Sequence, residues 1–426
     1  MLSTKFLISL SLLLPSTLSS PIFSIFSGFG ASEPEQDIFL NGGAGDSCPI
    51  DIPLTCSNST PIYNSCCFES PGGIFLQTQF WDYYPPIGPN DSFTLHGLWP
   101  DNCDGSYEQF CDDELNLKPR EIKSILVDQF KDDELYKKMV LNWKNFNGDD
   151  ENLWIHEFNK HGTCIKTLRP TCYYPYVKNQ NIYDFYKISM NIYEKLPTFK
   201  FLEQAGIVPS ETKTYTKKEI NDALSSNFDD LQVYFKCNRY QVLQEIWYYH
   251  YLKGSIKQEE FQPISSLLNS NCPEEGIKFL PKGWKPTPNP GNPGGSPPSK
   301  PIGGDRGYIK LPNHAGCIIS NGQWYQYGTC ATFTIVKSQF GGYNLKSSKG
   351  YCGFDKEGQL SCGSFYQPSK FQFQYDKETT EISYGGLSKW CFNNENSHGH
   401  GKFQQIPIKL IGKGDTCDDP FSLKFT

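Results

Sequence analysis

Beyond its first twenty residues the chain has no apolar run long enough to cross a bilayer, so no membrane anchor is expected in the mature protein. It also lacks an excess of positive charge. Lys and Arg number 39 against 46 Asp and Glu, which excludes a generally cationic surface that grips nucleic acid through its phosphates. A local cationic cleft stays open, above all where acid protonates histidine. Histidine itself is scarce, seven in 426 residues, so a place where several gather stands out. No internal repeat is present.

Cysteine, in contrast, is plentiful. The 16 residues divide into ten from Cys48 to Cys272 and six from Cys317 to Cys417. Each group is even, as expected if each of two domains closes its own disulfides in an oxidising compartment. The N-terminus agrees with that compartment. Lys5, the apolar run Phe6 to Leu14 and the small residues Ser16 to Ser20 read as a signal peptide over residues 1–19. The sequons at Asn58 and Asn90 are then candidate glycosylation sites. The expected location is the secretory pathway, ending outside the cell or in the vacuole lumen.

Fourteen of the 24 residues from Pro281 to Gly304 are Pro or Gly, a composition that cannot bury a core and reads as a linker. It separates a domain over residues 47–280 from one over 305–426. In the first, Ile74, Leu76, Thr78 and Phe80 alternate with Phe75, Gln77, Gln79 and Trp81, and Phe93 to Trp99 is a second strand candidate. Helical spacing follows in Ile122, Ile125, Leu126 and Phe130, then in Leu135, Met139 and Trp143, then in Phe185, Ile188, Ile192 and Leu196. Thr216 to Glu219 fits a capping box. Strand patterns return at Leu231 to Phe235 and at Ile246 to Tyr251. The fold class expected is α+β, with a mainly antiparallel sheet and flanking helices. The second domain, with 13 Lys and Arg against 10 Asp and Glu, reads as a small disulfide-rich β domain. Its strand candidates are 331–336, 370–375 and 406–411.

Three histidines fall in two short segments, Phe93-Thr-Leu-His96-Gly-Leu-Trp99-Pro-Asp101 and Trp154-Ile-His156-Glu157-Phe-Asn-Lys160-His161-Gly-Thr-Cys164. At about 100° per residue, the second segment as a helix sets Glu157 and His161 one turn apart, with His156 and Lys160 on an adjoining face. Asp149 or Asp150 would cap its start and Gly162 would end it. A hydrophobic core does not want such a group; an anionic reacting centre does. A zinc peptidase helix spaces its histidines by four, whereas His156 and His161 are five apart, and Lys160 would oppose a cation. No metal or cofactor is expected. Taken singly, each residue has a plainer role: His96 as a buried strand histidine, Glu157 and Lys160 as a surface ion pair, Trp99, Asp101 and Tyr107 as packing and turn residues. His250 reads as an ordinary sheet residue, and His398 and His400 as incidental members of a glycine-rich loop.

Together the two segments resemble the paired signatures of the ribonuclease T2 family, its fungal branch in particular, over residues 47–275. The linker and last domain resemble the C-terminal extension of yeast-type members. The resemblance implies a metal-independent endoribonuclease that cleaves single-stranded RNA, such as rRNA and tRNA, with low base specificity at acidic pH. It implies transesterification by the 2′-OH to a 2′,3′-cyclic phosphate, then hydrolysis to a 3′-phosphate. It makes His161 the base and His96 the acid, sets His156 on phosphate, and gives Glu157 and Lys160 to the transition state. Trp99, Asp101 and Tyr107 would bind the base, and Gln77 with Gln79 would line a second base pocket. It also implies the pairs Cys48–Cys67, Cys56–Cys103, Cys66–Cys172, Cys111–Cys164 and Cys237–Cys272. The alternative function is catalysis-independent binding or stress signalling on a ribonuclease scaffold. The partner expected is RNA, acted on by a monomer. Glycan or cell-wall contact, RNA binding and a structural role stay open for residues 305–426.

Overall fold

The computed structural model describes residues 48, 51–57, 66–285, 304–327, 329–393, 405–412 and 415–426. The expected signal peptide, Asn58, His398, His400 and most of the Pro/Gly stretch lie outside these. Residues 281–284, read from composition as linker, instead belong to the first domain. Lys282 Nζ donates to the carbonyls of Pro89 and Ser92 at 2.7 and 2.9 Å, and Trp284 packs on the main core.

The first domain is built on five antiparallel strands: β1 (Gly72–Phe80), β2 (Thr94–Asn102), β3 (Tyr234–Cys237), β4 (Leu243–Leu252) and β5 (Phe261–Ile264). Their order is β2-β1-β4-β3, with β5 pairing the far end of β4. Alternation along β1 sends Phe75 into the main core, shared with the helices, while Ile74 and Leu76 meet Tyr234 and Tyr249 on the opposite face. Pairing with β2 on one edge and β4 on the other makes β1 a central strand, and it is buried on both faces.

Among the described residues five α-helices share the main core on the Phe75 face of this sheet: α1 (Asp133–Asn142), α2 (Asp150–Lys160), α3 (Gln180–Lys195), α4 (Thr198–Gln204) and α5 (Lys217–Ser225). The α5 start carries the capping box of Thr216 and Glu219. The apolar spacing from Ile122 to Phe130 forms a π-helical turn over Ser124–Gln129, not an α-helix, closed by Phe130 N–H to the Ile125 carbonyl. A 3.6-residue pattern cannot distinguish the two over so short a span. Among the described residues no helix is long and apolar enough to cross a membrane.

The second domain has its own core, from Ile309 to Phe425, and no α-helix among its described residues. Strands β6 (Asp305–Gly307), β7 (Phe333–Lys337), β8 (Tyr343–Ser347), β9 (Gly350–Phe354) and β10 (Leu360–Gly363) pair in the order β10-β9-β8-β7-β6. The strand expected over 370–375 shrinks to Gln374–Tyr375, and that over 406–411 to Ile408–Leu410. Five disulfides in the first domain join Cys48–Cys67, Cys56–Cys103, Cys66–Cys172, Cys111–Cys164 and Cys237–Cys272. Three close the second: Cys317–Cys330, Cys352–Cys362 and Cys391–Cys417.

Candidate active site

His96 owes its direction to an irregularity in β2. Gln79 pairs with Leu95 and Thr78 with Gly97, so His96 is an extra residue between two pairs. Such a bulge re-aims a side chain. Leu95 and Leu98 remain in the main core while the His96 ring stacks on Phe80 at 4.4 Å. A chain of indoles fixes its backbone. Trp143 Nε1 donates to the His96 carbonyl at 2.7 Å, Trp154 Nε1 to the Trp143 carbonyl at 2.8 Å, and Tyr186 Oη to the Trp154 carbonyl at 2.9 Å.

Helix α2 supplies the rest. Asp149 caps it by accepting from the Asn152 amide at 3.2 Å. Leu153, Trp154 and Phe158 enter the main core, which turns His156, Glu157, Lys160 and the capping residue His161 towards β2. Helix α2 ends at Lys160 with His161 as its cap, so Gly162 directly follows its end, as expected. It opens a 3-10 turn, Gly162–Cys164, and a β-carbon there would stand 2.7 Å from the Phe158 ring. Its smallness serves packing.

Glu157 ties the two segments together. Its Oε2 accepts from Trp99 Nε1 at 2.8 Å, and its Oε1 lies 3.4 Å from His96 Nε2. Gly97 makes room for this carboxylate, since a β-carbon there would come within 2.0 Å of Glu157 Oε2. The parts that Gly97 and Trp143 play at the site escaped the sequence reading, which saw one within a motif and the other in a helical stripe. A glycine inside a strand pattern does signal close approach, but nothing in the sequence says of what.

Trp99 separates the two histidines. Its ring stacks on His161 at 5.1 Å and 19°, and meets His96 edge-on at 5.7 Å. Trp247 packs against it at 5.4 Å. One face and the N–H of Trp99 are thus engaged in holding the cluster. Asp101 and Tyr107 bridge across the start of the next loop. The Tyr107 ring lies 5.8 Å below Lys160 Nζ and 6.4 Å from His161. Phe110 N–H bonds the Lys160 carbonyl at 3.0 Å, and Cys111–Cys164 staples this loop to the end of α2.

Gln77 and Gln79 lie elsewhere. Both are buried on the main-core face of β1, where Gln79 Nε2 donates to Gln77 Oε1 and to the Leu196 carbonyl. A second base pocket there is thereby corrected to a buried amide network. His250 is a buried strand residue packed edge-on by Phe228 and Phe261.

Burial governs the charges. It pushes His96 down to about 3, with Lys160 adding to the effect. His156 and His161 are lowered for the same two reasons. Burial raises Asp101 and Glu157 and lowers Lys160, against the attraction between carboxylates and ammonium. Burial and the neighbouring ammonium thus both disfavour the charged form of all three imidazoles in this arrangement.

Residues 72–272 match the model of the Ribonuclease T2 family, and residues 304–404 match that of the RNase T2-like C-terminal domain. A ribonuclease T2-like protein of Debaryomyces hansenii is 62% identical over 366 residues, spanning 85% of this chain and 88% of that protein. Ribonuclease T2 of Aspergillus oryzae is 49% identical over 239 residues, covering 55% of this chain and 84% of its own. Among solved structures, Actibind, a T2 ribonuclease described as an antitumorigenic agent, is 42% identical with a TM-score of 0.53. It covers 56% of this chain and 99% of its own.

Proposed function

The chain belongs to the ribonuclease T2 family and is an endoribonuclease, and we propose that His161 and His96 divide the acid–base work of its reaction. His161 takes the proton from the ribose 2′-OH. The 2′ oxygen then attacks phosphorus, and the bond from phosphorus to the 5′ oxygen breaks. His96 gives its proton to that leaving oxygen, and a 2′,3′-cyclic phosphate remains. Water entering from the leaving side reverses the two roles and yields a 3′-phosphate. Lys160 and His156 face the extra charge on phosphorus, and Glu157 holds His96 in place. The observation that carries this reading is the convergence of β2 and α2 on one cleft, with Trp99 as the spacer between the two imidazoles.

Asp101 and Tyr107 are proposed to contact the base, since an aromatic face and a carboxylate suit an unstacked nucleobase. Trp99, expected beside them, is better suited to positioning, because its face and N–H are already engaged. The apolar run near the N-terminus and the eight disulfides favour a secreted or vacuolar protein, with exposed Asn90 as a glycan site. All proposed site residues come from one chain, so a monomer suffices. Exposed Tyr308 and Phe365 suit a glycan or cell-wall contact by the last domain.

Digestion of a defined RNA near pH 5 in EDTA, with end-group analysis, tests the mechanism. Wild type should leave cyclic-phosphate and 3′-phosphate ends, and His161→Ala should be slower by on the order of 10³-fold. Ends bearing 5′-phosphate, or an undiminished mutant, would refute it.

A further inference from the structure

The five proposed catalytic side chains are almost sealed from solvent: His96 and His161 at 3% exposure, His156 and Lys160 at 5%, Glu157 at 0%. No RNA phosphate can reach groups so covered. Trp99 and Tyr107 cover Glu157, Lys160 and His161 from within the first domain; over His156 and His96 the C-terminal domain adds cover of its own. Between β7 and β8 the chain makes a tight tip, Ser338 to Gly342, closed by Ser338 N–H to the Gly342 carbonyl at 3.0 Å. Phe340 N–H also donates to Ser338 Oγ at 3.1 Å. Gly341 and Gly342 take φ of 80° and 59°, a conformation that favours glycine. The tip projects Phe340 out of its own core and into that of the first domain, where it is 4% exposed. Its ring stacks on His156 at 4.0 Å and 17°. A β-carbon on Gly341 would stand 3.4 Å from His96 Nε2.

The cover extends to the proposed base contacts. Tyr107 N–H bonds the Gly385 carbonyl at 3.1 Å, and Gln374 bonds the Tyr107 hydroxyl. Beyond the cleft rim, Asn147 bonds Gln339. Resting on the catalytic reading above, we propose that the tip Ser338–Gly342 is an autoinhibitory plug, seated in the catalytic cleft and displaced when RNA enters. The plug and the substrate compete for one space, because the Phe340 ring fills the room beside His156 and the chain at Gly341 stands against His96 Nε2. Ribonuclease T2 of Aspergillus oryzae and Actibind match little more than half of this chain, so a plug of this kind is an addition to the catalytic domain and not a part of it. Burial under the tip disfavours the protonated imidazole that general acid catalysis requires.

The test uses the full chain and two variants of opposite sign. Phe340→Ala weakens the plug. Asn147→Cys/Gln339→Cys, bridged by a short bis-maleimide, locks it; all native cysteines are paired, so the two new thiols react alone. Cleavage of a dinucleoside monophosphate and diethylpyrocarbonate labelling of His96, His156 and His161 are read side by side. Phe340→Ala should raise kcat/KM roughly tenfold, as loss of one aromatic stack enlarges the open fraction, and should speed labelling. The bridged variant should cleave and label more slowly than its unbridged form. Equal labelling of the three histidines in wild type, Phe340→Ala and the bridged chain would overturn the plug. Changed labelling without cleavage by any form would spare the plug and overturn the catalytic reading instead.

Discussion

At the scale of single residues, Trp99 decides how the site is read. An indole between two imidazoles, donating to Glu157 at 2.8 Å, holds the distance between His96 and His161, the proposed acid and base. Trp99→Phe keeps a ring against His161 and loses that hydrogen bond. It should lower kcat roughly fivefold, the worth of one buried hydrogen bond, with little change in KM; a residue that binds the base would raise KM instead. Steady-state kinetics on a dinucleoside monophosphate separates the two. The residue types themselves were legible. His96, His156, Glu157, Lys160 and His161 stand out in the sequence because nothing in a hydrophobic core explains them together. Their orientation was not legible. The bulge that releases His96 depends on the pairing of β1 with β2, and the need for Gly97 depends on a carboxylate 60 residues downstream along the chain.

At the scale of elements, α2 is held from both ends. Asp149 and the main-core residues set its start and its roll; the loop after it hangs on Glu69. This buried carboxylate accepts from the Lys166 and Thr167 amides at 2.6 and 3.0 Å. Burial pushes it up from 4.5 to about 7, against those bonds. The folded chain thus binds a proton more tightly than the unfolded chain. The stability this gives is full below about pH 4.5 and is lost as pH rises through 7. Wild type should therefore lose on the order of 3 kcal/mol more than Glu69→Gln between pH 4.5 and pH 8. Urea unfolding of both proteins at the two pH values checks the difference; equal losses would remove Glu69 from the account. Periodicity located most elements, because it reports which face is buried. It missed the π-helical turn at Ser124–Gln129, whose apolar pattern is that of an α-helix. It set Gln77 and Gln79 on one face, as found, but could not say what covers that face; the main core, and not a base pocket, is there.

At the scale of the whole molecule, the Pro/Gly stretch announced two domains, and the even cysteine groups announced that each is closed by itself. What sequence does not carry is their encounter. Phe340 reads as one more aromatic in a β-rich segment, and its place against His156 arises only when two separately built cores meet. At both scales the proposed chemistry is the same: this cleft cleaves RNA through the ribose 2′-OH. The most direct test is an end-labelled oligoribonucleotide with one internal 2′-deoxy residue, digested in EDTA near pH 5 by the full chain and by Phe340→Ala. The account predicts cuts along the strand with a single gap on the 3′ side of the deoxy residue, in both proteins. A cut at that position would contradict it, for no hydroxyl is there to attack.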